Sequence, residues 1–203
     1  MDLFIVRHGN TFDKGDTVTR VGARTDLALS TSGQTQVEAL ALHFMATQTA
    51  GFGAAYCSPL QRTRQTAETV LAVYDPRPPL ETLEFLREID YGPDENQPED
   101  AVIARIGEAA LTAWDDNAVP PPGWDVDPER LKRAWRDLIG SASTDRGVGP
   151  VLIVTSNGIA RFVLDAVTKF EARPDSIKLK TGAYGHLRVS GETVTLINWN
   201  IRP

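Results

Sequence analysis

The tripeptide Arg7-His8-Gly9 combines three residue types suited to phosphoryl transfer. A neutral imidazole can attack phosphorus and carry the phosphoryl group as a covalent intermediate. The neighbouring guanidinium offers a planar fork of donors that matches phosphate oxygens. A glycine beside the nucleophile lets the backbone approach the substrate closely. An isolated tripeptide of this kind is equally compatible with a solvated strand end, so a second element has to support the chemistry.

That second element covers residues 58–68, with the sequence SPLQRTRQTAE, and opens a predicted helix. A helix N-terminus offers free N–H groups and the positive end of its dipole to an anion. Arg62 falls in the first turn, where a purely structural helix favours Asp or Glu, and its guanidinium can fold back toward the same anion. Arg64 fits a solvated helix face better. The segment therefore indicates a phosphate-binding helix start.

The order and spacing of these segments resemble the histidine phosphatase, or phosphoglycerate-mutase-like, superfamily. In that family Arg-His-Gly ends the first strand, and a Ser-x-Leu-x-Arg-x-x-x-Thr-Ala segment follows, as it does here about fifty residues later. Three further segments match in the expected order, namely 26–33 (DLALSTSG), 86–92 (LREIDYG) and 154–158 (VTSNG). The resemblance runs from the first apolar strand to the terminal hairpin and is weakest over residues 94–128.

The resemblance implies a role for each of four residues. His8 would be phosphorylated, while Arg7 and Arg62 would clamp the phosphoryl oxygens. Glu88 would protonate the leaving oxygen and later activate water, with Glu95 as the rival for this role. The scheme needs no metal or other cofactor, because positioned cations supply most of the stabilisation of a phosphoryl group in transfer.

One position departs from the family pattern. The second pocket histidine of the family is replaced by Asn157, which precedes Gly158. Asparagine still donates through its amide, but it stays neutral and its reach differs. Loss of one transition-state donor costs roughly 10²–10³ in rate. Either the pocket is rebuilt with another cation, or the enzyme is slow or inactive.

Candidate substrate-binding residues come mainly from the loop at 10–24, which follows the first strand. Asn10 and Thr11 are assigned to the substrate-binding set together with Asn157 and Gly158. The loop also contributes three cations in an acidic chain, and these are Lys14, Arg20 and Arg24. They are expected to close over a phosphate. The alternative is that these three charges serve only the solubility of the protein. Arg20 and Arg24 are alternatively expected to bind a distal phosphate or carboxylate of the substrate.

The elements that position these residues follow from apolar runs and turn signals. Strands are predicted at 3–6, 54–57 and 151–155, and a hairpin at 183–198. Helices are predicted from about 30, then at 60–73 with Ser58 as N-cap, at 99–115, at 128–139 and at 159–169. This order predicts an α/β fold, a three-layer α/β/α sandwich with a mostly parallel sheet, in a single domain 1–203 with a helical cap insertion at about 94–128. Ligands of such sheets bind at the carboxyl ends of the strands, where the polar turns fall.

Composition excludes several classes of function. The net charge of −6 argues against a nucleic-acid surface. No stretch approaches the ~20 apolar residues of a membrane span. The single cysteine, Cys57, favours a reducing compartment, and an acidic Asp2 is not typical of a secretory leader. We therefore expect a cytoplasmic protein, monomeric or homodimeric, whose partner is a small-molecule phosphate ester and not a nucleic acid or a membrane.

The remaining two histidines are expected to lie outside the site. His43 falls in the middle of a predicted helix and is typical of packing. His186 would reach the site only if its strand ran beside the third strand. The scattered histidines and the lone cysteine give no support for a metal site.

The sequence thus predicts a phosphomonoester hydrolase that acts on a small phosphorylated metabolite through a phosphohistidine at His8. Two alternatives stay open. One is a mutase that moves phosphate within one substrate, and the other is a phosphate-ester-binding protein impaired in turnover by Asn157.

Overall fold

The computed structural model describes residues 1–144 and 149–203. The strands of the described chain are β1 Asp2–Arg7, β2 Ala54–Cys57, β3 Leu80–Thr82, β4 Val151–Thr155, β5 Lys169–Phe170, β6 Tyr184–Ser190 and β7 Thr193–Ile201. The α-helices are α1 Thr31–Thr47, α2 Gln61–Leu71, α3 Glu99–Ile106, α4 Glu108–Asn117, α5 Pro128–Thr144 and α6 Asn157–Ala160. Short 3₁₀ helices span Glu84–Leu86, Gly92–Asp94 and Arg161–Ala166.

The strands form one sheet in the order β3-β2-β4-β1-β6-β7-β5. The first four positions are parallel to one another, β6 is antiparallel to β1 and to β7, and β5 is parallel to β7. The predicted α/β fold with a mostly parallel sheet is therefore confirmed.

The register of the parallel strands brings their polar ends to one level. Arg7 lies opposite Thr155, and Cys57 lies opposite Val154. The residues that follow β1, β2 and β4 consequently leave the sheet side by side. These are the residues in which the sequence motifs fall.

Alternate residues of β1 pack on opposite faces of the sheet. Leu3 and Ile5 belong to one hydrophobic core, and Phe4 and Val6 belong to another. A strand covered on both faces needs apolar side chains on both, which explains the continuous apolar run at the start of the chain.

Helix α1 covers one of these faces. The side chain of Ser30 accepts a hydrogen bond from the Gly33 amide at 3.2 Å and caps the helix. The buried side chains that follow repeat at helical spacing, and they are Val37, Leu40, Ala41 and Phe44.

Two predicted features of the helices are wrong. Ser58 does not cap α2, because the helix begins at Gln61 and Ser58 Oγ lies 2.7 Å from the Thr63 hydroxyl. The carboxylate of Asp26 instead accepts from the Gln61 amide at 2.7 Å. The predicted helix at 99–115 is two helices, divided at Gly107, whose φ of 82° lies in the left-handed region.

The predicted helix at 159–169 is helical only as far as Ala166, and most of it is 3₁₀ and not α. Helix α6 is one turn long and continues as a 3₁₀ segment to Ala166. Thr168 then exchanges backbone and side-chain hydrogen bonds with Val194 at 2.8–3.2 Å, and this pairing draws the chain into β5 beside β7.

The region predicted as a cap insertion contains α3 and α4. It packs into the hydrophobic core that contains Leu3 and Ile5. Trp114 and Trp124 are buried with ring centroids 5.4 Å apart, and Trp135 of α5 is fully buried in the same core. The carboxylate of Asp94 accepts from the Trp124 indole N–H and from Arg105. Within residues 1–144 and 149–203, no helix combines the length and hydropathy needed to cross a membrane.

Candidate active site

A cavity of about 520 Å³ opens at the carboxyl ends of β1 and β4. Its inner end is lined by Arg7, His8, Glu88 and Asn157, which come from three separate segments of the chain. The structure thus brings together the residues that the sequence placed at the ends of different elements. Arg62 does not line this cavity, and it is fully buried.

His8 is buried, with 5 % of its surface exposed. Its Nδ1 lies 2.7 Å from the Gly9 carbonyl oxygen, which can only accept, so Nδ1 carries the proton of the neutral ring. The lone pair is then on Nε2. Burial, followed by the nearby charges of Arg62 and Arg7, holds the pKa of His8 well below its usual range. His8 is therefore a neutral imidazole with Nε2 available as a nucleophile.

Gly9 packs closely against the start of α1. A Cβ at this position would lie 2.6 Å from the Gly33 carbonyl oxygen and 2.9 Å from a methyl group of Val37. The close approach that glycine permits is therefore to the first turn of α1. This contact fixes the strand end that carries His8.

Arg62 and Arg7 are held by backbone carbonyls. Arg62 donates to Thr25 O at 2.8 Å and to Gly22 O at 3.1 Å, and Arg7 donates to Leu179 O at 2.7 Å. The Nε of each guanidinium is buried and has no hydrogen-bond partner among the described residues. Burial lowers the pKa of both arginines, and the charge of Glu88 opposes this effect. Arg62 is fully buried and Arg7 is partly buried, and a cation with an unpartnered donor favours a nearby anion.

Glu88 is buried and held in one orientation by two backbone amides. Its Oε1 accepts from the Ile89 amide at 2.9 Å, and its Oε2 accepts from the Gly158 amide at 3.2 Å. A Cβ on Gly158 would lie 2.1 Å from Oε1. The glycine is thus required for the approach of the carboxylate, and its role in this structure is to position Glu88.

Glu95, the rival for the acid role, is occupied elsewhere. Its Oε1 accepts from the amides of Gly22 and Arg24 and from the Thr25 hydroxyl at 2.8–3.1 Å. Its Oε2 accepts from the Tyr91 amide at 3.2 Å. Glu95 therefore fixes the loop whose carbonyls hold Arg62, and it does not line the cavity.

Asn157 lines the cavity with its amide fixed in one orientation. Its Oδ1 accepts from the Leu179 amide at 2.8 Å, which leaves the NH₂ group as a donor for a bound oxyanion. The Leu179 carbonyl in turn accepts from Arg7. The backbone of Leu179 thus positions two residues of the site, one through its N–H and one through its carbonyl.

Arg161 is a buried cation that the sequence reasoning missed. Its guanidinium stacks over the Trp114 ring at 4.1 Å and donates to the backbone carbonyls of Trp114 and Asn157. Its Nη2 has no hydrogen-bond partner among the described residues. The sequence contained a signal for its position near the site. Arg161 follows Asn157 by four residues, and residues so spaced share one helix face.

The loop at 10–24 contributes some of its candidate residues and not others. Asn10, Thr11 and Arg20 line the cavity. Lys14 is exposed and does not line it. Arg24 also lies outside, where it pairs with Asp90 at 3.0 Å. Several further lining residues were not foreseen, namely Phe12, Val18, Tyr91, Glu99, Trp114, Asp115, Lys178 and Thr181.

The other histidines lie away from the cavity. His43 Nε2 is 2.9 Å from the Tyr184 hydroxyl. His186 contacts Asp2 at 2.7 Å and stacks on the Phe4 ring, because its strand runs beside β1 and not beside β4. In the part of the chain that the structure describes, no group of three or more His, Cys, Asp or Glu residues is arranged to hold a metal ion.

The chain belongs to the histidine phosphatase superfamily (branch 1), whose family model matches residues 3–202. No curated protein matches the sequence.

Solved structures share the fold at low sequence identity. The alpha-ribazole phosphatase of Shigella flexneri is 20% identical with a TM-score of 0.72, over 100% of this chain and 97% of that one. A mycobacterial glucosyl-3-phosphoglycerate phosphatase is 20% identical with a TM-score of 0.79, over 100% and 99%. A protein described as mycobacterial hydrolase 1 is 20% identical with a TM-score of 0.80, over 100% and 99%.

Proposed function

We propose that this protein hydrolyses a phosphate monoester of a small metabolite through a phosphohistidine at His8. The observation that carries the proposal is the state of His8. It is a buried neutral imidazole with its proton on Nδ1 and its Nε2 lone pair free, and it lies close to the charges of Arg62 and Arg7. A neutral nucleophile beside fixed cations suits attack on a phosphate dianion.

In the first step, Nε2 of His8 forms a bond to phosphorus as the bond from phosphorus to the leaving oxygen breaks. Arg7 and Arg62 neutralise the charge on the phosphoryl oxygens, and the Asn157 amide donates to one of them. Glu88, as a carboxylic acid, gives its proton to the leaving oxygen. The products of this step are an alcohol, a phosphohistidine and a carboxylate.

In the second step, water attacks phosphorus and the carboxylate of Glu88 takes its proton. The bond from phosphorus to Nε2 breaks, inorganic phosphate leaves, and His8 returns to its neutral form. The two amides that hold the Glu88 carboxylate keep it in position between the steps. The enzyme returns to its starting state, because the proton that Glu88 gives in the first step is recovered by Glu88 from water in the second.

A cavity of about 520 Å³ is consistent with a small substrate. Family membership supports phosphatase chemistry, and two of the solved relatives are phosphatases by name. The substrates in those names are properties of those proteins.

Turnover of phosphate esters by single variants tests the proposal. We expect His8→Asn to lower kcat by about 10³-fold or more, because no nucleophile remains. Glu88→Gln should lower kcat by about 10²–10⁴-fold for an alkyl phosphate and much less for p-nitrophenyl phosphate, whose leaving group needs no proton. His43→Asn, a histidine outside the cavity, is the matched control and should retain activity.

Three results would lead to different conclusions. Release of free phosphate that depends on His8 supports hydrolysis. Movement of phosphate between positions of one substrate would replace the proposal with a mutase. Tight binding of phosphate esters without turnover would replace it with a binding protein in which Asn157 has removed catalysis.

A further inference from the structure

The outer part of the cavity differs in charge from its inner end. We define the outer wall as the four charged residues Arg20, Glu99, Asp115 and Lys178, which all line the cavity. They carry two positive and two negative charges. The wall therefore has no net charge, whereas at the inner end Arg7 and the buried Arg62, which does not itself line the cavity, outnumber the single carboxylate of Glu88.

The first pair of the outer wall is tightly held. Arg20 Nη2 donates to both carboxylate oxygens of Glu99, at 2.7 Å and 2.6 Å. The guanidinium also lies over the rings of Tyr91 and Trp124, at 5.2 Å and 5.0 Å from their centroids, and its side chain is only 15 % exposed. The Nε of Arg20 is buried and has no hydrogen-bond partner among the described residues. The guanidinium is nevertheless fixed by a carboxylate and two rings, so it can turn to a second anion only with loss of these contacts.

The second pair, Lys178 with Asp115, is weaker, and it too joins a cation to a carboxylate. Lys178 Nζ lies 2.7 Å from Asp115 Oδ2, with both side chains partly exposed. A pair so exposed contributes little to stability, and Lys178 can move. An anion that attracted Lys178 would nevertheless leave the Asp115 carboxylate facing it, and like charges so placed disfavour binding.

The remaining cations of the loop at 10–24 do not change this balance. Lys14 and Arg24 lie outside the cavity, and Arg24 is paired with Asp90. Each cation of the outer wall therefore has a carboxylate of the protein as its partner. In the alternative raised by the sequence, Arg20 and Arg24 bind a distal phosphate or carboxylate, and each would have to be drawn away from a carboxylate partner to do so.

We propose that the alcohol released from the substrate is a neutral, hydroxyl-bearing molecule such as a sugar or polyol, and that a second anionic group on it is disfavoured. The proposal rests on the proposed function. The outer wall offers carboxylate acceptors and cationic donors for hydroxyl groups. The carboxylates of Glu99 and Asp115 repel a second anion, so discrimination arises from repulsion as well as attraction.

A matched pair of substrates tests this charge preference. Glycerol 3-phosphate and 3-phosphoglycerate share a three-carbon skeleton and differ at the end remote from the phosphate, where the second has a carboxylate. We expect kcat/KM to be at least about tenfold higher for glycerol 3-phosphate. Glucose 6-phosphate against glucose 1,6-bisphosphate extends the comparison to a second phosphate, with the same direction expected.

The variant Glu99→Gln releases Arg20 from its carboxylate without changing the size of the side chain. We expect it to lower KM for 3-phosphoglycerate and to narrow the preference for glycerol 3-phosphate by about fivefold or more. Glu129→Gln is the matched control, since Glu129 is exposed and pairs with Lys132 away from the cavity. Glu129→Gln should leave the ratio of kcat/KM for glycerol 3-phosphate to kcat/KM for 3-phosphoglycerate unchanged.

Binding to the His8→Asn protein separates this inference from the proposed function. Calorimetry on that protein gives Kd for both members of the pair without turnover. Weaker binding of 3-phosphoglycerate supports the inference even if the wild-type protein turns over neither ester, a result that would defeat only the proposed function. Equal or tighter binding of 3-phosphoglycerate, or an unchanged ratio in Glu99→Gln, overturns the inference while leaving hydrolysis intact. Binding of neither ester contradicts both.

Discussion

Replacement of Gly158 by alanine should disable Glu88 while leaving the fold in place. A Cβ at this position would lie 2.1 Å from Glu88 Oε1 and 3.0 Å from its Cδ. Favourable contacts between such atoms lie near 3.5 Å, so the carboxylate must move by about 1 Å or more. That movement breaks or lengthens the hydrogen bond of 3.2 Å from the Gly158 amide to Oε2.

Two opposing terms set the effect of this substitution on stability. Loss of a hydrogen bond to a charged group costs roughly 1.5–3 kcal/mol. Alanine in place of glycine within a helix contributes up to about 1 kcal/mol in the other direction, and Gly158 lies in α6. We expect a net loss of about 1–2 kcal/mol in the free energy of unfolding, measured in urea. The protein should remain folded at room temperature.

Catalysis should suffer more than stability. A displacement of about 1 Å in a catalytic group can cost 10²-fold, and the general acid contributes 10²–10⁴-fold. We expect kcat for an alkyl phosphate to fall by about 10²-fold or more, and kcat for p-nitrophenyl phosphate to fall much less. Steady-state assays on both esters measure the difference.

Gly140→Ala is the matched control. Gly140 lies within α5, and an added Cβ there meets no described atom within 4 Å. This substitution should raise the free energy of unfolding by up to about 1 kcal/mol and leave both activities unchanged. A folded Gly158→Ala protein with wild-type turnover of the alkyl phosphate would refute the assignment of Glu88.

Three further substitutions test other parts of the site. Asn157→His should preserve or raise kcat, because an imidazole nitrogen can accept from the Leu179 amide and its other nitrogen can donate to the substrate. A tenfold loss would show that the amide belongs to a rebuilt pocket. The depressed pKa of folded His8 means that the unfolded chain binds more protons below about pH 6.5, so the free energy of unfolding should fall as pH drops through that value. Urea titrations at pH 7.5 and 5.5 should show a smaller fall in His8→Asn, and an identical fall would contradict the burial argument. Arg161→Met should lower the free energy of unfolding by about 2–3 kcal/mol, because it removes charged donors to two backbone carbonyls and the stack on Trp114. A change below 0.5 kcal/mol in urea unfolding would show that these contacts contribute little.

The sequence was most informative where function depends on local pattern. The first apolar strand ends at Arg7-His8, and strand ends in a parallel sheet meet at one edge, so the meeting of His8 with Asn157 followed from the fold class. The family motifs then distinguished Glu88 from Glu95. The structure shows the two carboxylates in different surroundings, one at the cavity and the other holding the loop of Gly22.

Contacts between distant segments account for what the sequence did not reveal. Arg20 and Glu99 are separated by 79 residues, and no local pattern links them. The cap of α2 comes from Asp26, 35 residues before the helix, which is why the nearer Ser58 was the wrong choice. The pairing of Thr168 with Val194 likewise ends a segment whose own residues are compatible with a helix.

Rapid-quench labelling is the most direct test of the central claim that His8 Nε2 carries the phosphoryl group. The protein is mixed with a ³²P-labelled phosphomonoester, quenched in alkali within the first turnover, and digested for mass spectrometry. We expect an alkali-stable, acid-labile phosphate on His8, attached at Nε2, and its absence in His8→Asn. Turnover of the ester by the wild-type protein with the label absent, or on any residue other than His8, would contradict the mechanism.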